Sequence, residues 1–324
     1  MTARAYGCLS KTDDARDYLF RVTAPWSGAF VDLTAGFPEA PYDQGQLGSC
    51  VSNGTAAAVD FARAKQGLAA LNRPSRLFVY YQGRVRGGYP INQDSGLQIR
   101  DGFTVIAKDG APAEDTDWPY DIARFAEKPP AQAYTDAALD QAVKFGSVAA
   151  GDIDATVASG YPVVFGVTLY ESFESDAVAR TGVVPMPAAG ERQVGGHCMV
   201  IVSTRKPGAQ IPGAVASLDY YRVRNSWGTS WGDGGYCWLP VQLVERCASD
   251  FWMVSAMEDP NGPTPPGPPP HPGPSPQPVP GALEAAAQRM VDDPAVTRWL
   301  SKGHDGDTRK VAAHVREIRQ AAGG

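Results

Sequence analysis

One stretch of this sequence carries the residue types of acyl-transfer chemistry: Asp43-Gln44-Gly45-Gln46-Leu47-Gly48-Ser49-Cys50-Val51-Ser52-Asn53. It runs without a break into Gly54–Lys65, an alanine-rich stretch with Ala58, Phe61 and Ala62 on one helical stripe. Cys50 therefore stands at or near a predicted helix N-terminus, where the macrodipole and unpaired N–H groups favour a thiolate over a thiol. Gln44, six residues earlier, can bring its side-chain amide to the same point. A helix-start thiol beside an amide donor supplies a nucleophile and half of an oxyanion hole. Most cysteines are small buried hydrophobes, so this reading depends on partners elsewhere in the chain.

The usual partner of a catalytic cysteine is a histidine that takes its proton and later protonates the leaving group. Of four histidines, His271 lies in a proline-rich run and His304 and His314 lie beyond it. His197 alone falls in the expected globular body, in Gly195-Gly196-His197-Cys198-Met199-Val200-Ile201-Val202, at the start of a predicted strand. The third piece is Arg224-Asn225-Ser226-Trp227-Gly228-Thr229-Ser230-Trp231-Gly232-Asp233-Gly234-Gly235-Tyr236. The Asn225 carbonyl can accept the imidazole N–H and fix its tautomer, and Trp227 can shield that bond from water. Taken alone, the same run also fits a structural turn rich in glycine and tryptophan.

Together, Gln44…Cys50, Gly196-His197 and Asn225-Ser226-Trp227-Gly228 closely resemble the papain-like cysteine peptidases. The resemblance spans about residues 8–256, and the motif Asn-Ser-Trp-Gly-x-x-Trp-Gly-x-x-Gly-Tyr matches in full. It implies Cys50 as nucleophile, paired as an ion pair with His197, Asn225 as the residue orienting His197, and Gln44 with the Cys50 N–H as oxyanion hole. Asp94-Ser95-Gly96-Leu97 looks like the family's glycine wall, so Ser95 and Gly96 are expected to bind substrate backbone, with Cys198 and Trp227 beside them. The implied reaction is peptide hydrolysis by an endopeptidase through a thioester, with no metal and no organic cofactor. An exopeptidase or transpeptidase, with the loop Val184–Val194 closing one end of the cleft, is the alternative within the fold. A non-catalytic peptide-binding scaffold is the alternative outside that chemistry. The chain departs from secreted members at Leu47, where they carry a disulfide cysteine, at Val51, and at Cys198. Its segment before the core is only about 40 residues, shorter than an inhibitory helical prodomain, and resembles a bacterial branch lacking one.

The elements that must position these groups divide by sequence. Helices are expected over Cys50–Lys65, from about Ser75, and over Leu97–Lys108; strands over Tyr161–Tyr170, Cys198–Val202, Tyr220–Arg224 and Gly235–Leu239. This is an α+β chain, and the resemblance implies a papain-like two-lobed fold, a helical lobe facing a β-barrel-like lobe across the active-site cleft. Residues 1–40 read as an extension packing on the core, 41–258 as the peptidase domain, 259–281 as a Pro-rich linker and 282–324 as a small helical C-terminal module. Twelve of the 21 residues from Pro260 to Pro280 are proline, which suits an extended spacer. The module is too small for a strong core of its own and is expected to dock on this chain or on a partner.

Composition narrows the partners. The 324 residues carry a net charge of −6 and no basic run, which argues against nucleic acid. No apolar run reaches the ~20 residues of a membrane span. The first residues lack the apolar core of a signal peptide, so the expected place is the cytoplasm, or outside the cell by a route without a classical signal. Five cysteines, an odd and scattered set, fit free thiols in a reducing compartment. Whether Cys198 and Cys237 lie on neighbouring strands is left open by the sequence.

Overall fold

The alanine run after Cys50 forms the helix on which both halves of the molecule pack. In this computed structural model the described residues are 5–12, 17–22, 25–68, 73–138 and 142–257. The linker and the C-terminal helices expected from sequence lie outside them. In chain order the elements are β1 (Leu19–Phe20), α1 (Cys50–Lys65), α2 (Arg76–Gly87), α3 (Ile99–Lys108), α4 (Ala131–Ala137), β2 (Ala142–Val148), α5 (Ile153–Ala158), β3 (Val163–Tyr170), α6 (Asp176–Thr181), β4 (Gln193–Ile201), β5 (Lys206–Pro207), β6 (Asp219–Arg224), β7 (Tyr236–Pro240), α7 (Val241–Cys247) and β8 (Ala248–Met257).

α1 is buried without interruption from Cys50 to Arg63. A helix hidden on every side needs small residues, because both neighbours must come close. On one side, a side chain at Gly102 of α3 would meet Thr55 Oγ1 at 2.7 Å. On the other, a side chain at Gly54 would meet Cys198 Sγ of β4 at 3.1 Å. The start of α2 is fixed by Ser75, whose hydroxyl accepts from the Phe78 N–H, and its end by Gly88 at φ 71°. α3 opens on a capping box between Gln98 and Asp101.

The strands form one sheet in the order β1-β2-β8-β3-β4-β6-β5, with β7 on the other edge of β6. β1 runs parallel to β2, Leu19 beside Ser147; the remaining pairs are antiparallel. Two apolar cores result. One gathers α1, α2 and α3 against Val164, Val200, Trp252 and Val254. The other lies among β3, β4, β6 and β7 with Phe173, Trp227 and Trp231. The molecule is α+β, as the sequence predicts.

Two details differ from the sequence reading, and a third answers a question it left open. β2 and β8 are strands that periodicity did not mark. β4 begins at Gln193, so His197 sits in mid-strand opposite Val167, rather than at the strand's first position. Cys198 on β4 and Cys237 on β7 are separated by β6, and all five cysteines are free thiols.

Candidate active site

Cys50 is the first residue of α1, with no exposed surface. Its N–H has no acceptor within the helix, as for any residue in the first turn. Two side chains bind the carbonyl before it: Ser52 Oγ and Asn53 Nδ2 each donate to Ser49 O at 2.9 Å. Arg76 Nη1 donates to Asn53 Oδ1 at 2.9 Å and is itself held by Glu114 at 2.7 Å. The helix start is thus fixed by packing and by hydrogen bonds deep in the helical half.

His197 arrives from β4 and Asn225 from the residue after β6. Their side chains meet with Nε2 and Oδ1 2.8 Å apart. The Ser226 N–H also donates to Asn225 Oδ1, at 2.8 Å. A backbone N–H can only donate, so this atom is the amide oxygen, and His197 must carry its proton on Nε2. That leaves Nδ1 as the basic nitrogen. Trp227 packs on the imidazole with ring centroids 5.2 Å apart, and Phe173 and Trp231 back Trp227. Both His197 and Asn225 are buried.

Gln44 lies between the two walls. Its Oε1 accepts from Ser226 Oγ at 2.6 Å, which orients the amide. Its Nε2 donates to Leu47 O at 2.9 Å and to Ala5 O at 3.2 Å. The Gln44 N–H donates to Ser226 O at 2.9 Å, so the Gln44 loop and the Asn225 loop are stitched backbone to backbone. Asp94 ties the same loop to the far wall, accepting from the Gly48 N–H at 2.9 Å and from the Tyr80 hydroxyl. Ser226 and Asp94 were assigned no role from sequence. Their contacts are long-range, and only the place of Ser226 within the motif Asn225-Ser226-Trp227-Gly228 hinted at the first.

The cleft between the walls is occupied by the chain's own residues 5–9. The Ala5 carbonyl takes the Gln44 amide. The Tyr6 ring sits edge-on to His197 and Trp227, and its hydroxyl donates to Glu174 at 2.6 Å. Cys8 N donates to Gly196 O at 3.0 Å; Leu97 N donates to Gly7 O and Leu9 N to Leu97 O, both at 2.8 Å. The segment therefore runs as a strand parallel to Leu97. Glycines give it room. A Cβ on Gly7 would stand 1.7 Å from Gly48 O, one on Gly96 2.3 Å from Gly7 O, and one on Gly196 2.3 Å from Cys8 O.

This occupancy bears on the protonation of Cys50. Burial pushes the Cys50 thiol up to about 12, the nearby Cys8 thiol adds to the rise, and the N–H groups of Cys198, Gly7 and Val51 only partly offset it. The ion pair implied by the resemblance is not favoured in this closed state, because no water reaches the sulfur to stabilise its charge. Those same backbone donors place the Cys50 sulfur next to the His197-Cys198 segment.

The other expected residues fall as follows. Gly96 is at the cleft with φ 74°, and its N–H donates inward to Tyr80 Oη at 3.1 Å. The backbone edge actually used is that of Leu97, while Ser95 Oγ turns to Gly96 O at 3.3 Å. Cys198 is buried beneath Cys8, between β4 and Gly54. The loop before β4 is tied down at Val184, whose N–H donates to Trp238 O at 3.0 Å, and at Glu191, whose carboxylate accepts the Ser172 N–H at 2.6 Å. Among the described residues no cluster of ligating side chains could hold a metal, and no helix is long and apolar enough to cross a membrane.

Comparison with known proteins gives the chain its context. The family described as papain family cysteine protease matches residues 39–254. An uncharacterized peptidase C1-like protein of Acanthamoeba polyphaga mimivirus is 34% identical over 288 residues, covering 80% of this chain and 89% of that one. The crystal structure of xylellain, a cysteine protease from Xylella fastidiosa, superposes with a TM-score of 0.68 at 32% identity, covering 79% of this chain and 98% of xylellain. A digestive procathepsin L 3 of Tenebrio molitor larval midgut, at 17% identity and a TM-score of 0.56, shares the fold over 76% of this chain and 75% of its own.

Proposed function

We propose, for a chain that belongs to the papain family of cysteine proteases, that it is an endopeptidase acting through Cys50, His197, Asn225 and Gln44. The observation that carries this reading is the hydrogen-bonded run His197–Asn225–Ser226–Gln44, which ends with a Gln44 N–H pointing at a peptide carbonyl in the cleft. That carbonyl, of Ala5, stands in for the substrate carbonyl whose oxygen gains charge during attack.

When substrate replaces residues 5–9, His197 Nδ1 takes the Cys50 proton and the sulfur attacks the scissile carbonyl carbon. The electron pair moves onto oxygen, which the Gln44 amide and the Cys50 N–H stabilise. His197 then gives its proton to the leaving nitrogen, the C–N bond breaks, and a thioester remains on Cys50. Water, deprotonated by His197, releases the acid. Asn225 keeps the imidazole in the Nε2–H tautomer throughout.

Endopeptidase action is supported by the occupant itself. Residues 5–9 enter beside Gln44 and His197 and leave past Leu97, so the groove accepts a continuous chain through both sides of the nucleophile. The substrate is accordingly an extended segment of peptide or protein. The same occupant supplies a restraint on activity, since no substrate carbonyl reaches Gln44 until Ala5 leaves. The deciding experiment is hydrolysis of an internally quenched peptide blocked at both ends by the full chain. Cleavage that disappears in Cys50→Ser supports the reading. Cleavage only of peptides with a free terminus would replace it with an exopeptidase, and binding without cleavage would leave a peptide-binding scaffold.

A further inference from the structure

Three of the five free thiols converge where residues 5–9 cross the sheet, and only one of them is needed for peptide hydrolysis. Gly166 of β3 and Cys198 of β4 are cross-strand partners, and the Cβ atoms of such a pair stand about 4.5–5.5 Å apart on one face. Gly166 has no side chain, and the sulfur of Cys8 fills the space, 3.0 Å from where its Cβ would be. The Cys8 backbone is fixed there by its N–H on Gly196 O, two residues from Cys198 on the same strand. Cys8 and Cys198 therefore face each other across an absent side chain, with both backbones held. From this arrangement, we infer that Cys8 and Cys198 form a reversible disulfide that fastens residues 5–9 into the cleft under oxidising conditions.

The two sulfurs have the unequal exposure that such chemistry uses. Cys8 is half-buried, whereas Cys198 is fully buried. Burial and the neighbouring Cys8 thiol hold Cys198 protonated, which keeps it from reacting first. With a hydroperoxide as oxidant, the Cys8 thiol gives up its proton and its sulfur attacks the terminal peroxide oxygen to form a sulfenic acid. The O–O bond breaks, and the thiol's proton goes to the leaving oxygen as water or an alcohol. The Cys198 sulfur then attacks the Cys8 sulfur, the S–O bond breaks, and a second water leaves with the thiol proton. Two electrons have passed from two thiols to one peroxide. Closing an S–S bond of about 2.05 Å asks for side-chain rotation, with the Cys8 backbone held on Gly196 and Leu97 and Cys198 held in β4 opposite Gly166. Cys50 is the competing partner, but its sulfur is faced by the backbone N–H groups of Gly7 and Cys198.

The consequence rests on the peptidase reading: a fastened segment keeps Gln44 and Cys50 covered, and reduction frees them. The bond itself can be tested without that reading. The full-length protein is equilibrated in glutathione disulfide or in reduced glutathione, blocked with N-ethylmaleimide, digested with trypsin without reduction, and mapped by mass spectrometry. The expected product in the oxidised sample is residues 5–11 joined to residues 193–205, two hydrogens lighter than their sum, and absent after dithiothreitol. Cys8 joined to Cys50, Cys8 found only as a glutathione adduct, or Cys8 alkylated in both samples would each overturn the proposal. A parallel measurement follows iodoacetamide modification of Cys50. The rate should fall by about tenfold or more on oxidation and recover on reduction, and in Cys8→Ser it should not change between the two buffers. If the crosslink forms yet the peptide substrate is never cleaved, the latch stands and the peptidase reading fails.

Discussion

On the helix wall of the cleft, Cys50 is placed chiefly by packing, with hydrogen bonds from Ser52 and Asn53 holding the carbonyl before it. It begins a helix buried along 14 residues and wedged by Gly102 and Gly54 between α3 and β4. On the sheet wall, His197 is placed by polar bonds, through Asn225 and Ser226 to Gln44, with aromatic rings around them. A nucleophile needs a fixed backbone N–H as well as its sulfur, and a helix start provides both. A base needs a fixed tautomer, which packing cannot select but a carbonyl acceptor can. The walls should therefore fail differently: the helix wall through volume, the sheet wall through single hydrogen bonds.

The largest contrast is at Cys50, the proposed nucleophile. Cys50→Ser should lower kcat/KM by at least ~10⁴-fold while leaving the thermal midpoint nearly unchanged, as measured by peptide hydrolysis and calorimetry together. Asn225→Ala should lower kcat by about 10–100-fold with little change in KM, since only the imidazole's placement is lost. A comparable loss on truncating a residue of the helix wall with no effect on folding would erase the distinction drawn here.

Between the walls, Gly7→Ala tests the occupant. Its new Cβ would collide with Gly48 O, a backbone atom that cannot step aside. Residues 5–9 should be expelled and alkylation of Cys50 should accelerate by about tenfold or more. Unchanged alkylation would mean that these residues do not limit access. Ser226→Ala, which frees the Gln44 amide to turn, should cost about threefold to tenfold in kcat and leave stability close to wild type.

The smallest effect lies behind the helix wall. Burial pushes the Asp60 carboxyl up to about 6, and the Tyr42 hydroxyl and Arg63 only partly offset this. Between roughly pH 4 and pH 6 the folded chain keeps a proton that the unfolded chain has released. The stability due to this group is full below that window and is lost as pH rises through it. Asp60→Asn should flatten the fall of Tm across the window. A slope that survives the substitution would assign it to other groups.

Much of this arrangement could be read in the sequence, and the remainder has a common cause. α1, α2 and α3 announce themselves by periodicity and by local caps such as Ser75, and β3, β6 and β7 by β-branched and aromatic runs. Gln44, Cys50, His197 and Asn225 stand in motifs whose order alone brought them together for consideration. β2 and β8 were not marked by periodicity, and they pair with each other across more than 100 residues. Ser226 on Gln44, Asp94 on Gly48, and Leu97 as the backbone edge are likewise contacts between distant parts of the chain. Residues 5–9 carry no pattern that marks them as occupants of a groove; the clue lay in the glycines around them, Gly7, Gly96 and Gly196, which only a second backbone explains.

The most direct measurement is to trap the acyl-enzyme. The full chain is mixed with an activated ester of a short peptide, quenched in acid within the first turnover, and weighed intact and after digestion. The account predicts one acyl group per chain, on Cys50, formed far more slowly in His197→Ala. Turnover with no adduct, or an adduct on any other residue, would contradict it.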